Sequence, residues 1–140
     1  MPLTTLNLGN CSSIRDLTPL KGMPLTSLNL YLCIQVRDLE PLKGMPLTTL
    51  ILSDCKEIRS LAPVKGVPMK SLTINGPRVA ELTPLKGMSL ESVRLTSKNI
   101  TEGLDILRDM KSLKTIGADA TQFWPAAEFW SRYDKGEFKK

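Results

Sequence analysis

LTSLNLYLCIQVRDLEPLKGMP, residues 25–46, is the stretch that decides the fold. It is one copy of a unit that also begins at Leu3 and Leu47, and in altered form at Met69, Leu90 and Leu113. The steps between starts are 22, 22, 22, 21 and 23 residues. A period in the twenties marks a chain that stacks one supersecondary unit on the next, each burying its apolar face against its neighbours.

Inside the unit, apolar residues fall at positions 1, 4 and 6, a cysteine at 9, and apolar residues again at 12, 15, 18 and 21. Position 4 reads Leu6, Leu28, Leu50, Leu72, Val93, Ile116, and position 6 reads Leu8, Leu30, Leu52, Ile74, Leu95, Ala118. Alternation of this kind predicts a short strand with one buried face. The segment DLxPLKGMP then turns the chain back, its proline and glycine blocking any long helix. The expected fold class is α/β, a solenoid with a parallel sheet on the concave face and short turns or 3-10 segments on the convex face.

The unit, written LxxLxLxxCxx[IV]xxLxPLKGMP, resembles a leucine-rich repeat over roughly residues 3–121. Its DLxPL return resembles internalin-like bacterial repeats. Cysteine at position 9, where many such repeats carry asparagine, resembles the cysteine-containing class. With the chain end PAAEFWSRYDKGEF, the combination is similar to the repeat arrays of large bacterial multidomain proteins, often placed behind a serine/threonine kinase domain. No kinase motif occurs in these 140 residues. The resemblance implies a protein-interaction or scaffold module that binds a partner through its concave face. An alternative it implies is a substrate-docking or sensor segment of a larger kinase-type protein.

At 140 residues and 41% apolar content the chain is expected to form one ordinary globular unit. No run approaches the ~18 apolar residues of a membrane helix, and no secretory signal opens the chain, so a cytoplasmic protein away from membranes is expected. The net charge of +5 is moderate. Lys21, Lys43, Lys65 and Lys86 recur at one position of the unit, and Arg15, Arg37 and Arg59 at another, with Asp16 and Asp38 beside the arginines. This ladder reads either as a solvated outer face or as a basic stripe for nucleic acid or acidic partners. The first reading is favoured, because no aromatics are interleaved to stack bases.

Cys11, Cys33 and Cys55 occupy one column. Their 22-residue spacing is not the CxxC spacing of a metal site, so no metal is expected. A buried ladder of small apolar side chains, kept reduced, is the expectation.

Met1-Pro2-Leu3 matches Met23-Pro24-Leu25 and Met45-Pro46-Leu47, so the chain starts inside its own pattern with no preceding cap. That open end is expected to reflect a missing upstream region, or else self-association. In the fourth unit Asn75-Gly76-Pro77 replaces the cysteine turn and one residue is lost, which should tighten the turn. The fifth unit's return lacks proline, and Leu104, Leu107 and Met110 fall at helical spacing. This predicts a helix from about Thr101 to Lys111, with Thr101 or Asn99 near its N-cap. The sixth unit is only a strand, Leu113 to Ala118. The last twenty residues hold six of the seven aromatics, and Pro125 to Lys135 predicts a helix ended by Gly136. The expected organisation is thus a repeat array over residues 1–120 and an aromatic C-terminal capping helix and tail over residues 121–140; the rival for the tail is an aromatic docking motif.

A catalyst needs a positioned acid, base, nucleophile or metal. The chain has no histidine, no phosphate-cradling glycine loop, and carboxylates only at turn positions such as Asp16, Asp38 and Asp54. It is read as non-enzymatic and without a cofactor. Positions 3, 5 and 7 of each unit should face away from the core. They read Thr5/Asn7/Gly9, Ser27/Asn29/Tyr31, Thr49/Ile51/Ser53, Ser71/Thr73/Asn75, Ser92/Arg94/Thr96 and Thr115/Gly117/Asp119. The candidate binding residues on this small-polar face are Asn7, Asn29, Tyr31, Ile51, Thr73 and Arg94. Tyr31, Ile51 and Arg94 stand out, being of types enriched at interface hot spots. The plain alternative is that Ser and Thr are simply good strand residues.

Overall fold

Leu28 and Leu30 point the same way from a strand, and that is enough to start a core, because the same pair recurs in each neighbouring unit. A computed structural model describes residues 3–118 and 122–138 of the chain; Met1, Pro2 and the strand-face position Asp119 lie outside them. The strands are β1 (Thr5–Asn7), β2 (Ser27–Asn29), β3 (Thr49–Ile51), β4 (Ser71–Ile74), β5 (Ser92–Leu95), β6 (Thr115–Gly117) and β7 (Phe123–Pro125). They form one sheet in chain order. The strands β1 to β6 are parallel, and Leu6, Leu28, Leu50, Leu72, Val93 and Ile116 pair in succession. β7 lies antiparallel on β6, with Trp124 opposite Ile116.

Leu28, Leu50, Leu72, Val93 and Ile116 are fully buried, as are Leu30, Leu52 and Leu95. Each such side chain contributes about 1.5–3 kcal/mol by leaving water. Leu6, on β1, and Leu8, just after it, are only half-buried. The returns are short 3-10 turns at Thr18–Leu20, Glu40–Leu42, Ala62–Val64 and Thr83–Leu85, each with a proline in its first positions. Pro19, Pro41, Pro63 and Pro84 supply the fixed φ of a tight turn and lack the N–H that a longer helix would need. Asp16 and Asp38 fasten two of these turns. The Asp16 carboxylate accepts the Thr18 N–H at 2.8 Å and the Thr18 hydroxyl at 2.5 Å, and the Asp38 carboxylate accepts the Glu40 N–H at 2.8 Å. The Thr18 hydroxyl, and then its N–H, hold the Asp16 carboxyl below the ordinary carboxylate range.

After each of the first three strands the chain passes through the left-handed region, at Asn10 (φ 68°), Leu32 (φ 59°) and Asp54 (φ 59°). In the shortened fourth unit Gly76 stands there, at φ 103°. A Cβ on Gly76 would meet Asp54 N at 2.8 Å, so this tightened turn needs glycine both for its dihedral and for its space. The cysteines come next. Cys33 and Cys55 are buried and Cys11 is exposed, all three as free thiols.

The predicted helix over Thr101–Lys111 is shorter than expected. α1 spans Leu104–Arg108, and its N-cap is Gly103 at φ 95°, not Thr101 or Asn99. Ser97–Asn99 forms a 3-10 turn instead. The cause is that the stretch before α1 is already held by the preceding unit. The N–H groups of Thr101 and Glu102 both donate to Ala80 O, at 2.8 and 3.1 Å, and Leu82 N–H donates to Glu102 O at 3.0 Å. Only past that clamp does the chain coil.

The C-terminal helix is close to its expected span. α2 runs Ala126–Asp134, with Pro125 as the residue before it rather than in its first turn. It ends on Gly136 (φ 84°) with Gly136 N–H on Tyr133 O at 2.9 Å and Glu137 N–H on Arg132 O at 3.2 Å. These two bonds close the Schellman pattern that glycine at this place favours. Phe129, fully buried, is surrounded by Trp124, Trp130, Tyr133 and Phe138, with ring centroids 4.9–6.3 Å away. Arg108 joins α1 to α2 through Asp134 at 2.6 Å and lies 4.7 Å over the Trp130 ring. Among the described residues no helix is long and apolar enough to cross a membrane.

Candidate functional site

The alternation that turns Leu28 and Leu30 into the core turns Ser27 and Asn29 out of it. On this outer face the sheet register makes single rows. Asn7, Asn29, Ile51, Thr73 and Arg94 pair in succession, followed by Gly117 and Phe123. At about 4.8 Å between strands this row runs roughly 29 Å across the sheet. Five of the six candidate residues therefore share one row. Tyr31, the sixth, lies two residues beyond Asn29 and is 39% exposed. Beside this row lies a row of hydroxyls, Thr5, Ser27, Thr49, Ser71, Ser92 and Thr115, in which Thr115 Oγ1 donates to Ser92 Oγ at 3.2 Å.

Asn7 and Asn29 have a local task. The Asn7 side-chain oxygen accepts the Gly9 N–H, and that of Asn29 accepts the Tyr31 N–H, each at 2.8 Å. These bonds hold the turn that leaves the strand, as asparagine does well. They leave the amide NH2 of each side chain for any ligand. Ile51 and Thr73 are half-buried in the middle of the row.

Two of the positions expected on this face are not on the surface. Ser53 and Asn75 are each only 9% exposed. The Ser53 hydroxyl donates to Asn75 Oδ1 at 3.0 Å, and Asp54 N–H donates to Asn75 O at 3.0 Å. The shortened fourth turn folds over this end of the face and takes both polar side chains inside. Gly117 is buried too, for a different reason: a Cβ there would lie 3.0 Å from Gln122 O and 3.3 Å from Arg94 Nε.

That closeness shapes the end of the row. The Arg94 side chain crosses the bare Gly117 backbone and its guanidinium carbon rests 4.2 Å from the centroid of the Phe123 ring. Such stacking contributes on the order of 0.5–2 kcal/mol, depending on how dry the pair is. Phe123 itself is 42% exposed. Gly117 stands where the repeat pattern puts it, whereas Phe123 is an addition to this face that the repeat pattern does not reach, because the pattern ends with the sixth strand. The sequence Phe-Trp-Pro has no apolar/polar alternation to announce a strand; the exposed, buried, exposed order of β7 appears only in the fold.

The opposite, return side of the sheet carries the lysine column. Lys21, Lys43, Lys65 and Lys86 each follow a 3-10 turn with nearly the same backbone angles and are exposed. Also on that side, a groove of about 830 Å³ lies between residues 83–89 and 102–112, and none of the six candidate residues lines it. Compared with protein-family models, with curated proteins and with solved structures, the chain matches none.

Proposed function

We propose that the chain is a leucine-rich repeat solenoid that holds a protein partner on the concave face of its sheet, performing no chemistry itself. The constant register supports the repeat reading: Leu6, Leu28, Leu50 and Leu72 are each 22 residues apart and each opposite the next. The packing of α2 and Phe129 over the end of the sheet supports a capping role for the tail, with the array over residues 1–120 and the cap over 121–140. The observation that carries the functional reading is the outer row itself. It sets Ile51 and Arg94 two strands apart on one rigid surface, with Tyr31 beside them, and hot spots are enriched in Tyr and Arg. A preformed sheet also loses little conformational entropy on binding.

The test replaces Tyr31 and Ile51 together with serine. Neither side chain belongs to the buried core, so the fold is retained, while capture of partners from lysate drops by about 2 kcal/mol or more, roughly thirtyfold. The control changes Lys21, Lys43 and Lys65 to glutamine and leaves capture unchanged.

A second reading has its own observation. The four lysines of the return side recur at one place in successive turns, and none takes part in the ion pairs formed among the described residues. Such a column suits an acidic partner or nucleic acid. Under it the lysine changes abolish capture, the serine changes do not, and affinity falls steeply with salt.

A further inference from the structure

Among the described residues, Arg94 is the charged side chain placed in the outer row. Its neighbours along that row are Thr73, Gly117 and Phe123, none of them charged. The side chain is half-buried, and among the described residues no carboxylate pairs with it and its buried Nε has no hydrogen-bond acceptor. A guanidinium that has given up water on one side and gained only an aromatic ring is incompletely satisfied. Contact with the Phe123 ring and the bare backbone of Gly117 restrains the side chain and encloses Nε, so the donors left for a ligand are the two terminal nitrogens.

We infer that Arg94 is the acid-reading residue of this face: the partner is a protein segment that presents a carboxylate to the Arg94 guanidinium and an apolar side chain to the exposed part of Phe123. This rests on the reading of the outer face as the partner surface. A planar two-oxygen acid matches the guanidinium fork. One cation in an otherwise neutral row matches a single negative charge. A phosphate dianion or a nucleic-acid backbone calls for several cations together, and the lysine column that could supply them lies on the other side of the sheet.

The experiment uses a displayed library of random heptapeptides selected on the full chain, with each variant's folding checked by thermal unfolding. The expected result is that enriched peptides share an Asp or Glu next to an apolar residue. Binding of a selected peptide then falls at least tenfold when its own acid is exchanged for the amide, and falls similarly in Arg94→Gln. Arg94→Lys restores part of it, and Phe123→Ala weakens it. The peptide-side exchange uses the unaltered protein, so the inference stays testable even if Arg94→Gln fails to fold. Peptides enriched without any acid, bound equally by Arg94→Gln but lost in the Tyr31→Ser, Ile51→Ser double variant, overturn the role of Arg94 and leave the face as the partner surface. A phosphoserine version binding tenfold more tightly than the acidic peptide overturns the carboxylate assignment. No enrichment above an unrelated protein overturns both readings.

Discussion

The thiol of Cys55 donates a hydrogen bond to the backbone oxygen of Leu30, 2.8 Å away in the preceding unit. Cys33 repeats the contact on Leu8 O at 3.1 Å. Burial pushes the Cys55 thiol up to about 12 and raises that of Cys33 as well. Because the thiolate is the reacting species, native protein at pH 8 should take up a thiol reagent at exposed Cys11 alone. Intact mass should show one adduct before denaturation and three after it. Three adducts on the native protein would remove the buried-ladder account.

The same shift predicts a loss of stability at alkaline pH. Cys55 ionises near its ordinary 9.0 in the unfolded chain but only at about 12 when folded, so its contribution is intact below pH ~9. Above that pH the unfolded state sheds the proton first, and stability falls as pH rises toward 12. A Cys55→Ala variant shares every other ionisable group, so comparison with it isolates this thiol. The difference between the two proteins in denaturant midpoint should therefore shrink between pH 9 and 11; a constant difference would contradict the shift.

Leu50 is fully buried in the middle of its column, whereas Thr49, its neighbour, sits half-buried on the outer face. Leu50→Ala should cost about 2–5 kcal/mol through lost burial and a residual cavity. Thr49→Ala should stay within about 0.5 kcal/mol. A urea titration that finds equal losses would mean the two faces of β3 are misassigned.

Leu32 occupies the left-handed region at φ 59°, where the equivalent residues of the flanking units are Asn10 and Asp54. A leucine there costs roughly 1–2 kcal/mol in contact between its Cβ and the backbone. Leu32→Asn keeps the N–H bond to Ser53 O at 2.9 Å and should raise stability by about 0.5–1 kcal/mol. A melting temperature lower than that of the parent would show that the apolar contacts of Leu32 outweigh its backbone.

Phe129→Ala removes the centre of the aromatic cluster that packs against β6 and should cost about 3–5 kcal/mol. Trp124, only 8% exposed, should report it by fluorescence that shifts to longer wavelength in the variant. Unchanged emission together with unchanged stability would release the tail from its covering role and favour a free docking motif.

Much of the sheet could be read from the repeat because its leucine columns obey a local rule, applied again every 22 residues or so. Strand order, parallel register and the proline-led 3-10 returns all follow from that rule. What could not be read depends on contacts between distant residues. The start of α1 depends on Ala80 O, which holds Thr101 and Glu102 in extended form, and nothing near Thr101 announces it. The burial of Ser53 depends on Asn75, one unit later. In the row of candidate residues the positions were legible, but the end of the row was not. Arg94 meets Phe123 only because β7 reverses direction and brings the ring beside Gly117.

That reversal also bears on how the molecules behave when crowded together. A parallel edge of bare backbone is a template onto which another chain can add, strand upon strand, toward fibres. Here the strand outside β6 is three residues long, runs the opposite way and ends in Pro125, which has no N–H to offer a neighbour. Growth from that side of the sheet is blunted by the same short strand that carries Phe123 to the outer face.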